Sequence, residues 1–123
     1  VFMTEKEFLN FLAMKLKICR VPQVSGYVDS LDSTVQNAGK YIGGHSVLFE
    51  GHQALPIRLV VEMGRLLLNR NVSLQAKEAL LMIMAHHPSR EALNALSLYN
   101  VNPDENLRYF AQLALDECEM WNE

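Results

Sequence analysis

The sequence predicts a single all-α domain of about six helices, on three observations. Apolar residues recur at helical spacing in several segments, Ser, Thr or Asn stands ahead of most of them as a cap, and no segment reads as a strand. The chain has 123 residues, half of them apolar and a fifth charged, the balance of a globular domain rather than a disordered one. That length suffices to bury roughly two-thirds of the unfolded surface in one core without disulfides or metal.

The first helix is expected to open at Thr4, where Thr4-Glu5-Lys6-Glu7 forms a capping box and Phe8, Phe11, Leu12 and Leu16 follow on one face. Pro22 is expected to end it. Val28, Leu31, Val35, Ala38 and Ile42 fit a second helix after Tyr27, stopped by Gly43-Gly44. Residues 43–51 hold three of the six glycines, with His45 within them and His52 beside them, and read as the least regular stretch.

Pro56 opens the next helix, with Leu59, Val60, Met63, Leu66 and Leu67 on the inner face and Arg58, Glu62, Arg65 and Asn69 on the opposite one. Gly64 costs that helix about 1 kcal/mol relative to Ala, which close approach of a neighbouring helix would offset. Ser73 caps a helix whose run from Ala79 to Ala85 is apolar without a break, the pattern of a central helix buried on several sides. His86-His87-Pro88 stops it and Ser89 recaps, with Ala92, Leu93, Leu96 and Tyr99 facing inward. Asn102 is expected to cap the last helix with Pro103 at its first position and Asp104 and Glu105 in the first turn. Leu107, Phe110, Ala111, Ala114, Cys118 and Trp121 would form its inner stripe.

The run Leu107-Arg108-Tyr109-Phe110-Ala111-Gln112-Leu113-Ala114-Leu115 resembles the first helix of a HEAT-type repeat, in the armadillo-like superfamily. Thirty-one residues earlier, Ala76-Lys77-Glu78-Ala79-Leu80-Leu81-Met82-Ile83-Met84 has the same shape with Leu80 and Ile83 where that pattern prefers Ala. Between them, residues 88–96 are similar to the second helix of such a unit. The resemblance implies a right-handed helical-repeat stack over 56–123, with residues 1–55 as an N-terminal helical cap carrying the Gly/His loop. A compact helical bundle is the alternative, because two repeats alone do not bury their apolar faces.

Charge and cysteine usage exclude several functions. Residues 1–71 carry 8 Lys/Arg against 6 Asp/Glu, a net of +2, whereas 72–123 carry 3 against 8, a net of −5. No clustered excess of Lys/Arg offers a phosphate footprint, so nucleic-acid binding is not expected. Cys19 and Cys118 form no CxxC pair and no secreted disulfide framework. The start lacks a secretory-signal pattern and no apolar run is long enough to span a bilayer, so a cytoplasmic location without membrane contact is expected.

No spacing matches a P-loop, a GxGxxG fingerprint or a GxSxG elbow, so no catalytic residue, cofactor or enzymatic activity is expected. Four histidines raise a metal reading, with His45 and His52 as its nearest candidates and Glu50 and Glu78 nearby in sequence. Their seven-residue separation matches no ligand pattern, and His86-His87 is adjacent, which hinders convergence of both rings. The chain therefore reads first as a protein-interaction or scaffold module, binding an unidentified protein or a second copy of itself. Arg58, Glu62, Arg65 and Asn69 are its candidate contact face, which HEAT-type geometry would place on the concave side. A ligand-binding, metal-binding or enzymatic role for residues 43–52 is the alternative.

Overall fold

A computed structural model describes residues 3–18 and 32–123. Among them are six α-helices and no strand: α1 (Glu5–Leu16), α2 (Ser33–Gly43), α3 (Ile57–Leu68), α4 (Leu74–Ala85), α5 (Arg90–Val101) and α6 (Arg108–Trp121). Short 3₁₀ turns cover Gly44–Val47, His52–Ala54 and Glu105–Leu107. The all-α expectation holds. No helix among the described residues is long and apolar enough to cross a membrane.

Local chemistry sets most of the helix starts. The Thr4 side chain accepts the Glu7 N–H while the Glu7 carboxylate accepts the Thr4 N–H, completing the capping box. Asp32, Ser73 and Ser89 cap α2, α4 and α5 in the same way through single side-chain bonds. α1 stops at Leu16, with Lys17 in the left-handed region at φ 58. Pro22 and Cys19 lie outside the described residues, as does the stretch from Tyr27 to Leu31 where α2 was expected to begin.

The last helix departs from expectation. Asn102 ends α5 instead of capping α6, and α6 begins only at Arg108 after a 3₁₀ turn. The cause is Asp104: its carboxylate is taken by Lys77 Nζ at 2.7 Å and by the Tyr99 hydroxyl at 2.5 Å, which draws residues 103–104 toward α4 and α5. Trp121, expected on the inner stripe, is half exposed at the end of α6.

Alternate helices stack. α3 packs mainly on α5, and α4 on α6, giving two layers joined by α5 against α6 and by α4, which also touches α3 and α5. Every residue of α4 from Ala76 to Ala85 is buried. At Gly64 α3 approaches α5 closely: a Cβ built there would sit 3.1 Å from Ala95 Cβ. The two segments resembling HEAT first helices thus lie side by side in one layer, and the pair between and before them in the other.

The N-terminal segments cover this stack. α2 lies on α6, and the Gly44–Val47 turn lies on α4. Tyr41 meets Phe110 edge-on at 5.2 Å between ring centres, and Asn37 accepts the Phe110 N–H and donates to the Asn106 carbonyl. α1 is anchored by Phe8 and Leu12, both fully buried, and by the Glu5 carboxylate, which accepts the N–H and hydroxyl of Ser73. Placing α2 across the α4/α6 layer brings side chains from the first and last thirds of the chain together.

Candidate metal centre

Each polar group of the site occupies a helical position that otherwise faces apolar neighbours. On α6, Glu117 follows Phe110 and Ala114 at steps of seven and three, on the face that meets α2 and α4. His45 follows Tyr41 by four residues as α2 passes into its 3₁₀ turn. His86 is the C-cap of α4. These three residues meet where α2, α4 and α6 converge, and one ligand atom of each lies within 4.8 Å of both others.

His86 is the buried centre of the group, with 6 % of its side chain exposed. Its Nδ1 is 2.8 Å from the Met82 carbonyl, an acceptor only, so Nδ1 carries the proton in the neutral ring. Nε2 then presents its lone pair to the site. It stands 2.7 Å from Glu117 Oε2, yet no aligned hydrogen bond reaches this buried nitrogen. The contact is an ion pair when His86 is protonated, and with the ring neutral both atoms offer lone pairs to the same space.

His45 repeats the arrangement. Its Nδ1 faces the Ile42 carbonyl at 3.1 Å, leaving Nε2 toward Glu117 Oε1 at 3.7 Å. The His45 and His86 rings meet edge-on with centres 4.7 Å apart. The Tyr41 hydroxyl donates to Glu117 Oε1 and orients that carboxylate. Burial, followed by this bond to an anion, pushes the Tyr41 hydroxyl far above its ordinary range, so it stays a proton donor.

The donor set suits a divalent transition ion. Zinc binds imidazole nitrogen at about 2.0–2.1 Å and carboxylate oxygen at about 2.0–2.2 Å, which spaces tetrahedral ligand atoms about 3.3 Å apart. The separations of the two rings from Glu117, 2.7 Å to Oε2 and 3.7 Å to Oε1, straddle that value, and one ligand atom of each residue lies within 4.8 Å of the others, a spacing that small shifts close onto one ion. Imidazole rings whose second nitrogen donates to a backbone carbonyl are the usual zinc-site arrangement, because that bond fixes tautomer and ring direction. Two imidazoles and a carboxylate also fit ferrous iron. Cys118, next to Glu117 in sequence, is buried in the core with its thiol pushed up to about 11 by burial, and stays a thiol.

The structure divides the histidines unevenly. His45 enters the cluster and His52 stands beside it, its ring centre 6.3 Å from that of His86. His87 turns the other way: both its nitrogens are engaged, by Ser89 Oγ and the Leu55 carbonyl, in a buried setting that joins the loop before α3 to the start of α5. The adjacency of His86 and His87 does prevent their convergence, but it says nothing against His86 alone. Glu50 is exposed, and Glu78 is spent on Lys40 at 3.5 Å. Glu117 escaped the sequence reading altogether. The signal for it was a carboxylate at a core-facing step after Phe110 and Ala114.

The α3 face is only partly open. Arg58, Arg65 and Asn69 are exposed, whereas Glu62 accepts the Met3 N–H through Oε2 and holds Arg65 at 3.9 Å through Oε1. Between these polar residues Ile57, Val61 and Leu68 are also exposed.

Fold and site together define a layered all-helical protein with a His-His-Glu cluster closing over its central helix. No protein-family model, curated protein or solved structure matches the chain.

Proposed function

We propose that this protein binds a divalent transition-metal ion, zinc foremost, through His45, His86 and Glu117. The observation that carries the reading is the buried Nε2 of His86, which lies 2.7 Å from a carboxylate without an aligned hydrogen bond. Two further features support it: the matching tautomer of His45 and the Tyr41 hydroxyl that steers Glu117. The ligands come from three elements distant in sequence, so the ion ties α2 and its 3₁₀ turn to α4 and α6. Titration of chelator-treated protein with Co²⁺, a spectroscopic stand-in for Zn²⁺, tests it. One equivalent should bind with visible ligand-field absorption, and His86→Ala should abolish that absorption. A wild-type chain that shows no saturable Co²⁺ or Zn²⁺ binding would refute the proposal.

A second reading, compatible with the first, is that the α3 face docks a protein partner in the manner inferred from the HEAT-type resemblance. Ile57, Val61 and Leu68, exposed among Arg58, Arg65 and Asn69, favour it. In that reading the chain works in the cytoplasm and Glu62 sets the geometry of Arg65. Capture of a partner from native lysate that survives charge reversal at Arg58 and Arg65 would discard this face.

A further inference from the structure

We infer that His52 is the fourth protein ligand of the same ion, making the centre a closed His₃Glu site rather than one with an open position. The inference rests on the metal-binding reading above and extends it to a residue outside the three-donor cluster.

His52 shares the preparation of the other two rings. Its Nδ1 lies 2.8 Å from the Phe49 carbonyl, three residues back, as His45 Nδ1 faces the carbonyl of Ile42, also three back. In all three histidines the Nδ1 proton is committed to a backbone acceptor and Nε2 is the ligand atom left over. The His52 ring is held edge-on to Phe49 and to His86, and Gly51, at φ 86, provides the left-handed residue that turns the chain into this position.

Distance decides between a ligand and a bystander. Two imidazoles bound tetrahedrally to one zinc have ring centres about 5 Å apart, given metal–nitrogen bonds of about 2.0–2.1 Å. His45 and His86 stand at 4.7 Å and His52 and His86 at 6.3 Å. His52 is therefore about an ångström outside that spacing, in a turn whose neighbours Gly51 and Gln53 are exposed. His52 stands on a fourth element, the 3₁₀ turn His52–Ala54, distinct from those that carry His45, His86 and Glu117. Four protein donors without a water place the centre with structural rather than hydrolytic zinc sites.

The test compares Co²⁺ binding to wild type, His52→Ala and His52→Cys. The wild-type complex should show the intense visible absorption of four-coordinate Co²⁺. His52→Ala should bind about a hundred-fold more weakly, with the fainter spectrum of a water-completed, higher-coordinate ion. His52→Cys should add a thiolate-to-cobalt charge-transfer band, which appears only if residue 52 touches the metal and does not depend on the alanine variant's stability. Unchanged affinity and spectrum in His52→Ala, or no charge-transfer band in His52→Cys, would overturn the fourth-ligand assignment. The three-donor site would survive that result so long as His86→Ala still abolishes binding.

Discussion

Two buried charges on α4 illustrate how neighbours decide the worth of an ionisable residue. Lys77 is 2 % exposed and meets Asp104 at 2.7 Å, with its ammonium also 5.7 Å from the Tyr99 ring centre. Burial alone would raise the Asp104 carboxyl, but hydrogen bonds from Lys77 and Tyr99 outweigh it and hold it below its ordinary value of 3.8. The folded state thus binds this proton more weakly than the unfolded chain does. Its contribution is fully present above the unfolded value and is lost as pH falls below about 4, through the lowered folded value. Asp104→Asn should cost about 3 kcal/mol at neutral pH, because Lys77 is left charged and unpaired in the core. Denaturant melts at pH 7 and pH 3 check both points: the gap between variant and wild type should shrink at the lower pH.

Glu78 should behave oppositely. Burial raises its carboxyl, and Lys40, half exposed at 3.5 Å, offsets that only in part. Folding therefore favours the protonated form, and wild-type stability from this group rises as pH falls through the raised folded value toward the unfolded one. Glu78→Gln should equal or exceed wild type at neutral pH and lose that advantage in acid. A marked loss of stability at pH 7 would show that the Lys40 pair outweighs desolvation.

At the level of elements, the helices were legible wherever a cap and a periodic stripe coincide. Thr4, Ser73 and Ser89 marked true starts, and the unbroken run from Ala79 to Ala85 identified the helix buried on all sides. The start of α6 was not legible, since the local chemistry of Asn102-Pro103 competes with the attraction of Asp104 for Lys77, twenty-seven residues away. Gly64 was legible as a close approach, though not its partner. Ala95 is that partner, and it fixes the sign of a substitution. Gly64→Ala gains about 1 kcal/mol of helix propensity. It also forces a methyl group to 3.1 Å from Ala95 Cβ, across the contact between α3 and α5. Overpacking of this kind costs about 1–3 kcal/mol, so the variant should be net destabilised, by about 1 kcal/mol. Adding Ala95→Gly should recover part of the loss beyond additivity, measured as a double-mutant cycle by urea unfolding.

The site belongs to the scale of the whole molecule, which is why the sequence disclosed only part of it. His45 and His52 are visible as a loop pair, but His86 and Glu117 join them only once α2 is laid across α4 and α6, a docking set by Tyr41, Asn37 and Phe110 rather than by any local pattern. A ligand set drawn from the 3₁₀ turn after α2, the end of α4 and the last third of α6 cannot exist in the unfolded chain, so the ion's binding energy is coupled to holding these layers together. At free Zn²⁺ a hundred times the dissociation constant, this linkage is worth about 2.7 kcal/mol. For a domain of this size that corresponds to a rise in Tm of about 10 °C. The rise should vanish in His86→Ala. Hydrogen exchange should locate the effect, with Zn²⁺ slowing amides of α2 and the Gly44–Val47 turn more than those of α3 and α5, which the ion does not touch. Equal slowing in every helix would mean that zinc stabilises the fold only globally, and that α2 is held as firmly by Tyr41 and Asn37 as by the metal.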